Sequence, residues 1–141
     1  MSAGISISEY FDKDRLTEDI YGISRWGDGL ITVLENGHIG LCQPDNPNNP
    51  PTDLTEIIKN LDQRGVTAPV LLRVTNFLRS RIDQINVSFN AAIDELAYKG
   101  KYRGVFPVKV NQQAPVVDRI VEFGRSYDFG LEVGSKAELL I

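Results

Sequence analysis

From Pro69 onward the chain alternates short apolar runs with helical periodicities, and that alternation constrains the fold more than any other feature. Val70 to Val74 reads as a short strand. Leu78, Ile82, Ile85, Phe89, Ile93 and Leu96 then recur at steps of three or four, the mark of a long amphipathic helix, which Lys99, Gly100 and Lys101 break. Gly104 to Val110 is an apolar run expected to form a buried strand. A helix opened by Pro115 and closed by Gly124 follows, with Val116, Val117, Ile120 and Val121 on its apolar side. After Tyr127 and Asp128, Phe129 to Val133 reads as a third strand, and Ser135 with Glu138 makes a capping box that begins another helix. Strands alternating with helices imply an α/β fold with parallel pairing and right-handed crossovers. Periodicity alone leaves a doubly wound sheet and a barrel both open.

The chain ahead of this region has a different character. Residues 1 to about 20 are polar and weakly periodic, and Asp12, Lys13, Asp14 and Arg15 favour a solvated, mobile terminus. Leu30 to Leu34 and His38 to Cys42 flank Asn36-Gly37, which predicts a hairpin with a type I′ turn and positive φ at both central residues. Pro44 to Pro51 reads as a linker and sets the expected boundary, with residues 1–50 a hairpin-bearing segment and 51–141 the start of the α/β region. Beyond it Asp53 and Glu56 predict a capping box, Leu54, Ile57, Ile58 and Leu61 an apolar helix face, and Gly65 the helix end.

The 141 residues have the length of one ordinary domain, and 42% hydrophobic content suffices for a core. The net charge of −4 offers no basic footprint for nucleic acid. No apolar stretch approaches the roughly 18 residues of a membrane span, and the amino terminus lacks a basic-then-apolar leader, so a cytoplasmic location is expected. A single cysteine, Cys42, makes neither an internal disulfide nor, alone, a metal site.

Lys109 is the leading candidate for chemistry. Burying an ammonium costs on the order of several kcal/mol, so a lysine within an apolar run must reach solvent, pair, or give up its proton. The last option makes a nucleophilic amine able to form a Schiff base. A strand-end lysine simply reaching solvent is the competing reading.

Phe106-Pro107-Val108-Lys109-Val110-Asn111-Gln112, followed after one helix by Gly130-Leu131-Glu132-Val133-Gly134-Ser135-Lys136-Ala137-Glu138-Leu139, closely resembles biosynthetic arginine decarboxylase. The likeness extends upstream through Tyr21-Gly22-Ile23 and Trp26-Gly27. The resemblance implies a pyridoxal-phosphate enzyme of the alanine racemase-like group. It resolves the fold as the first βα units of a TIM-like barrel, truncated, with the hairpin belonging to a separate β-domain. Barrel chemistry sits at the carboxyl ends of strands, where Lys109 would lie.

By the same resemblance Lys109 holds pyridoxal phosphate as an internal aldimine and Glu132 sits beside the cofactor. The implied reaction is decarboxylation of L-arginine to agmatine and carbon dioxide, within polyamine biosynthesis; magnesium and a homo-oligomer are further implications. The phosphate anchor, the acid at the pyridine nitrogen and the proton donor belong to later parts of the family's sequence. The 141 residues alone are therefore expected to be inactive, and to work as part of a longer enzyme or with a complementary chain.

Other residues carry two readings each. Glu132 would tune the amine or pair with Lys136 or Arg125 at the surface, and Ser135 would cap a helix or hold phosphate. Asn111 and Gln112 would line the cofactor mouth or satisfy loop backbone. His38 reads as a satisfied or exposed histidine, Cys42 as packing, and Tyr21 with Trp26 as a satellite core or a subunit interface. The alternatives for the whole are diaminopimelate or ornithine decarboxylase, which usually show Tyr-Ala-Val-Lys where this chain has Phe-Pro-Val-Lys, and a non-catalytic cofactor-binding or association module.

Overall fold

The computed structural model describes residues 20–140, and the expectation of a mobile terminus before residue 20 falls outside them. The residues form two compact units that divide between Arg73 and Val74.

In the first unit, helix α1 (Ile23–Gly27) leads into strands β1 (Ile31–Val33), β2 (Ile39–Leu41) and β3 (Thr52–Asp53) and helix α2 (Leu54–Gln63). The strands form an antiparallel sheet with β2 in the middle, in the register Thr32↔Gly40 and Gly40↔Asp53. Gly40 has to be glycine for packing reasons: a Cβ there would stand 2.6 Å from Leu34 Cδ2 and 3.0 Å from Pro51 Cβ. The hairpin forms where expected, but its turn is not type I′. Leu34 donates to the His38 carbonyl and Gly37 to the Leu34 carbonyl, enclosing a three-residue loop in which Gly37 alone takes positive φ, at 80°. A type I turn closed by a left-handed glycine needs nothing special of Asn36, whose Oδ1 instead accepts from the His38 backbone N–H.

Helix α2 begins at Asp53, whose Oδ1 accepts from the N–H groups of Thr55 and Glu56. Glu56 makes no reciprocal side-chain bond to Asp53; the second carboxylate oxygen is taken by His38 and Asn36. The helix ends as predicted at Gly65, in a Schellman motif: Gly65 donates to the Asp62 carbonyl and Val66 to that of Leu61. Ile23, 2% exposed, is the one deeply buried apolar side chain of this unit among the described residues. Val70 to Val74 is not a strand. The segment has no regular structure and Leu71 is 73% exposed, because an apolar run becomes a strand only when a neighbour completes its ladder.

The second unit starts with helix α3 (Thr75–Glu95), continues through strand β4 (Val105–Pro107), a 3₁₀ turn (Val108–Val110), helix α4 (Ala114–Gly124) and a second 3₁₀ turn (Arg125–Tyr127), and ends with strand β5 (Gly130–Glu132) and helix α5 (Lys136–Leu140). Helix α3 stops at Glu95, ahead of the expected break, with Ala97 in the left-handed region at φ 48°. Strands β4 and β5 pair in parallel, Val105↔Gly130 through Pro107↔Glu132, joined by α4 as a βαβ unit. The α/β class read from the alternation therefore stands. Two parallel strands do not make a closed barrel.

Ile82, Val108 and Ile120 are buried, together with Asn86, whose Nδ2 donates to the Ile82 carbonyl at 2.7 Å. The Phe129 side chain lies against two glycines. A Cβ on Gly104 would stand 2.2 Å from Phe129 Cε2, and one on Gly124 2.6 Å from Phe129 Cβ. Phe129 also donates its N–H to the Gly124 carbonyl, and Gly130 donates to that of Gly104, so the start of β5 is clamped to β4 and α4 together.

Candidate functional site

The expected strand through residues 104–110 is shorter than its apolar pattern suggests. The ladder ends at Pro107, which has no N–H to continue it, and the chain tightens into the 3₁₀ turn. Val108 points inward and is buried, whereas Lys109 and Val110 are exposed, Val110 at 69%. Lys109 thus sits just past a strand end, as expected, but on a solvated turn rather than in a water-poor strand. The described residues do not supply the burial that would desolvate its amine.

Glu132 closes β5 and lies opposite Pro107 in register, which puts Lys109 two residues beyond the same level on the neighbouring strand. The two candidates therefore share one edge of the sheet, its carboxyl end. Among the described residues no ion pair joins Glu132 to Lys109, to Lys136 or to Arg125. A cleft of about 340 Å³ opens at this edge, lined by Val108, Gln112, Val117, Leu131, Val133 and Leu139 among others. Its walls are mainly apolar, with Gln112, Asp118 and Glu138 as polar exceptions.

The loops around the edge satisfy themselves. Asn111 Oδ1 accepts from the Gln113 N–H at 3.1 Å, steering the turn into α4 and giving Asn111 the loop role. Ser135 Oγ accepts from the Glu138 N–H at 3.2 Å, the expected cap, while the Glu138 carboxylate reaches back to the Gly134 N–H at 2.6 Å. These paired contacts fix the turn that follows Glu132.

Away from the edge, His38 is satisfied, its Nδ1 lying 2.7 Å from Asp53 Oδ2. Desolvation pushes the Asp53 carboxyl up, but hydrogen bonds from His38, Asn36 and the N–H groups of Thr55 and Glu56 outweigh it and hold the group at about 2 against an ordinary 3.8. Tyr127 donates its hydroxyl to Asp83 Oδ1 at 2.9 Å; that bond, burial and the nearby charge raise its pKa above 10.0. Neither contact is visible in sequence spacing, since fifteen residues separate His38 from Asp53 and forty-four separate Asp83 from Tyr127.

Tyr21 and Trp26 do not form the satellite core. Helix α1 is only five residues long and turns Ile23 and Gly27 inward, leaving Trp26 59% exposed with its Nε1 donating to the Tyr21 carbonyl. Cys42 is a free, half-buried thiol. Among the described residues no three His, Cys, Asp or Glu side chains gather as metal ligands, and no helix is long and apolar enough to cross a membrane.

No family model matches the chain. Among curated proteins it is 43% identical over 122 residues to the biosynthetic arginine decarboxylase of Prochlorococcus marinus (strain MIT 9303), a match covering 86% of this chain and 19% of that enzyme. To the biosynthetic arginine decarboxylases of Synechococcus sp. (strain RCC307) and Gloeobacter violaceus it is 44% and 42% identical, again over 19% of each enzyme and 86% and 87% of this chain. Among solved structures, the biosynthetic arginine decarboxylase SpeA from Campylobacter jejuni superposes with a TM-score of 0.76 at 37% identity, over 85% of this chain and 19% of that one. The chain spans about a fifth of the length of the curated relatives it matches. The resemblance carried by the Lys109 and Glu132 motifs thus extends through most of the chain, in sequence and in fold.

Proposed function

We propose, from the likeness to biosynthetic arginine decarboxylases, that this chain is one part of a pyridoxal-phosphate-dependent enzyme that converts L-arginine to agmatine and carbon dioxide. The observation that carries the reading is the identity of 41–44% with enzymes of that name over about 86% of the chain. Diaminopimelate and ornithine decarboxylases are disfavoured because the relatives named above act, by name, on arginine.

In this reading β4–α4–β5 is the beginning of a (β/α) barrel, residues 1–50 serve a β-domain and residues 51–141 the barrel, except that Thr52–Asp53 pairs with the hairpin and the stretch up to Arg73 belongs to the hairpin's compact unit. The parallel βαβ unit, with both candidates at its carboxyl edge, supports that assignment. Lys109 fits the role of cofactor anchor: its amine is exposed past the strand end and has no ion-pair partner among the described residues. Pyridoxal phosphate, when bound, supplies an electron sink for the pair left behind when carbon dioxide departs. Lys109 Nζ must shed its proton to act as a nucleophile. Glu132, on the adjacent strand, offers a carboxylate that holds that proton or steadies the ammonium. Val108, Leu131 and Val133 line an apolar cleft at the same edge of the sheet, which neither Lys109 nor Glu132 lines.

The remaining anchors, the guanidinium-recognising acids and any magnesium site come from the rest of the enzyme, as does the desolvation that Lys109 lacks here. The complete enzyme is taken to be a cytoplasmic homo-oligomer. Carbon dioxide release measured with arginine, ornithine and diaminopimelate on the complete enzyme tests the assignment. Release from arginine alone, lost in Lys109→Ala, is expected. Turnover of another substrate instead of arginine, or undiminished turnover by Lys109→Ala, would overturn it.

A further inference from the structure

Because β4 and β5 run parallel, the residues just before them, Arg103 and Asp128, lie together at the amino edge of the sheet, opposite Lys109. A second cleft opens there, of about 290 Å³, near the lower bound of small-molecule sites. Asn86, Lys101, Arg103, Ser126, Tyr127 and Asp128 give it a polar lining.

Asn86 is the deepest of these, only 1% exposed, and its Nδ2 is committed to the Ile82 carbonyl. Its amide oxygen accepts no hydrogen bond from the described residues yet is not sealed from the cleft. Because that oxygen faces the cleft rather than sealed core, it can accept from a donor that enters there. Tyr127 adds an acceptor, since its hydroxyl hydrogen is spent on Asp83. Arg103 and Asp128 approach no closer than 3.7 Å and are both largely exposed, a loose pair that a ligand can part. Lys101 supplies a second cation.

The charges select the ligand. A plain oxyanion would meet Asp128 and the Asn86 oxygen, and a plain amine would meet Lys101 and Arg103. A molecule bearing both groups meets neither conflict. We propose that this cleft binds a small zwitterionic α-amino acid, its carboxylate on Arg103 and Lys101 and its ammonium toward Asp128 and the Asn86 oxygen. The site is separate from Lys109 and does not depend on the reading of that residue.

Nuclear magnetic resonance titration of the chain with L-serine, acetate and ethylammonium tests this. L-Serine should give saturable shifts at the Asn86 side-chain amide and at Tyr127 and Asp128, with acetate and ethylammonium at least roughly tenfold weaker. Arg103→Ala and Lys101→Ala, both substitutions of exposed side chains, should each weaken L-serine binding several-fold. Absence of saturation up to about 50 mM, equal binding of acetate or ethylammonium, or unchanged binding in both variants would overturn the proposal.

Discussion

Replacing Gly104 with alanine tests whether the clamp on Phe129 sets the β4–β5 pairing. The new Cβ would stand 2.2 Å from Phe129 Cε2, 2.6 Å from its Cδ2 and 3.0 Å from Tyr102 Oη. Comfortable carbon contacts lie at about 3.5–4.0 Å, so relief demands a movement of more than about 1 Å. The ring has little room to retreat, because Phe129 already lies close against Gly124, and the backbone is held by the 2.9 Å bond from Gly130 N to Gly104 O. Overpacking of this kind costs about 1–3 kcal/mol, against which reduced entropy of the unfolded chain returns about 0.4–1 kcal/mol. The expected net loss is about 1–2 kcal/mol, or roughly a 5- to 30-fold shift toward the unfolded state. Urea denaturation followed by far-ultraviolet circular dichroism reads it through α3 and α4. Fluorescence does not, since the single tryptophan, Trp26, belongs to the other unit. Adding Phe129→Ala should recover part of the penalty, because the double variant removes the clash. Stability within about 0.5 kcal/mol of the parent, or strictly additive losses, would refute the clamp.

Three further outcomes follow from single contacts. The Asp53 carboxyl is depressed to about 2 from 3.8, so its contribution is complete above about pH 4 and is lost as pH falls through about 2; acid unfolding of the first unit should lose that component in Asp53→Asn, which keeps a helix cap. Tyr127 is raised above 10.0, so its contribution holds below pH 10 and disappears as pH rises through the raised value. Tyr127→Phe should abolish that alkaline step in thermal unfolding and remove one late-titrating phenol from the ultraviolet spectrum. Ala97 occupies the left-handed position after α3, where glycine carries no steric penalty; Ala97→Gly should stabilise the second unit by about 0.5–1 kcal/mol in urea denaturation.

The parts of this fold that read directly from sequence are those fixed by local chemistry. The Asp53 cap, the Gly65 stop and the Asn36-Gly37 hairpin each follow from neighbouring residues, and each is present. Helix α3 forms over its periodic segment, but of the expected apolar stripe Ile82 alone is buried, and Ile85, Phe89 and Leu96 are exposed. Readings that needed a distant partner fared less well. Val70 to Val74 has the composition of a strand and no ladder, and Trp26 has the composition of a core residue and no cover. The Lys109 run has the composition of a buried strand, whereas a two-stranded sheet leaves its turn in solvent. The motif located the candidate residues at the carboxyl edge, but the side-chain pairings His38–Asp53 and Tyr127–Asp83 depend on how the chain returns upon itself, which spacing does not encode.

Borohydride reduction of the complete enzyme loaded with pyridoxal phosphate, followed by peptide mapping, addresses the role of Lys109 most directly. A pyridoxyl group on Lys109 is the predicted result. A label on any other lysine, or a label of equal yield elsewhere in Lys109→Ala, would contradict it.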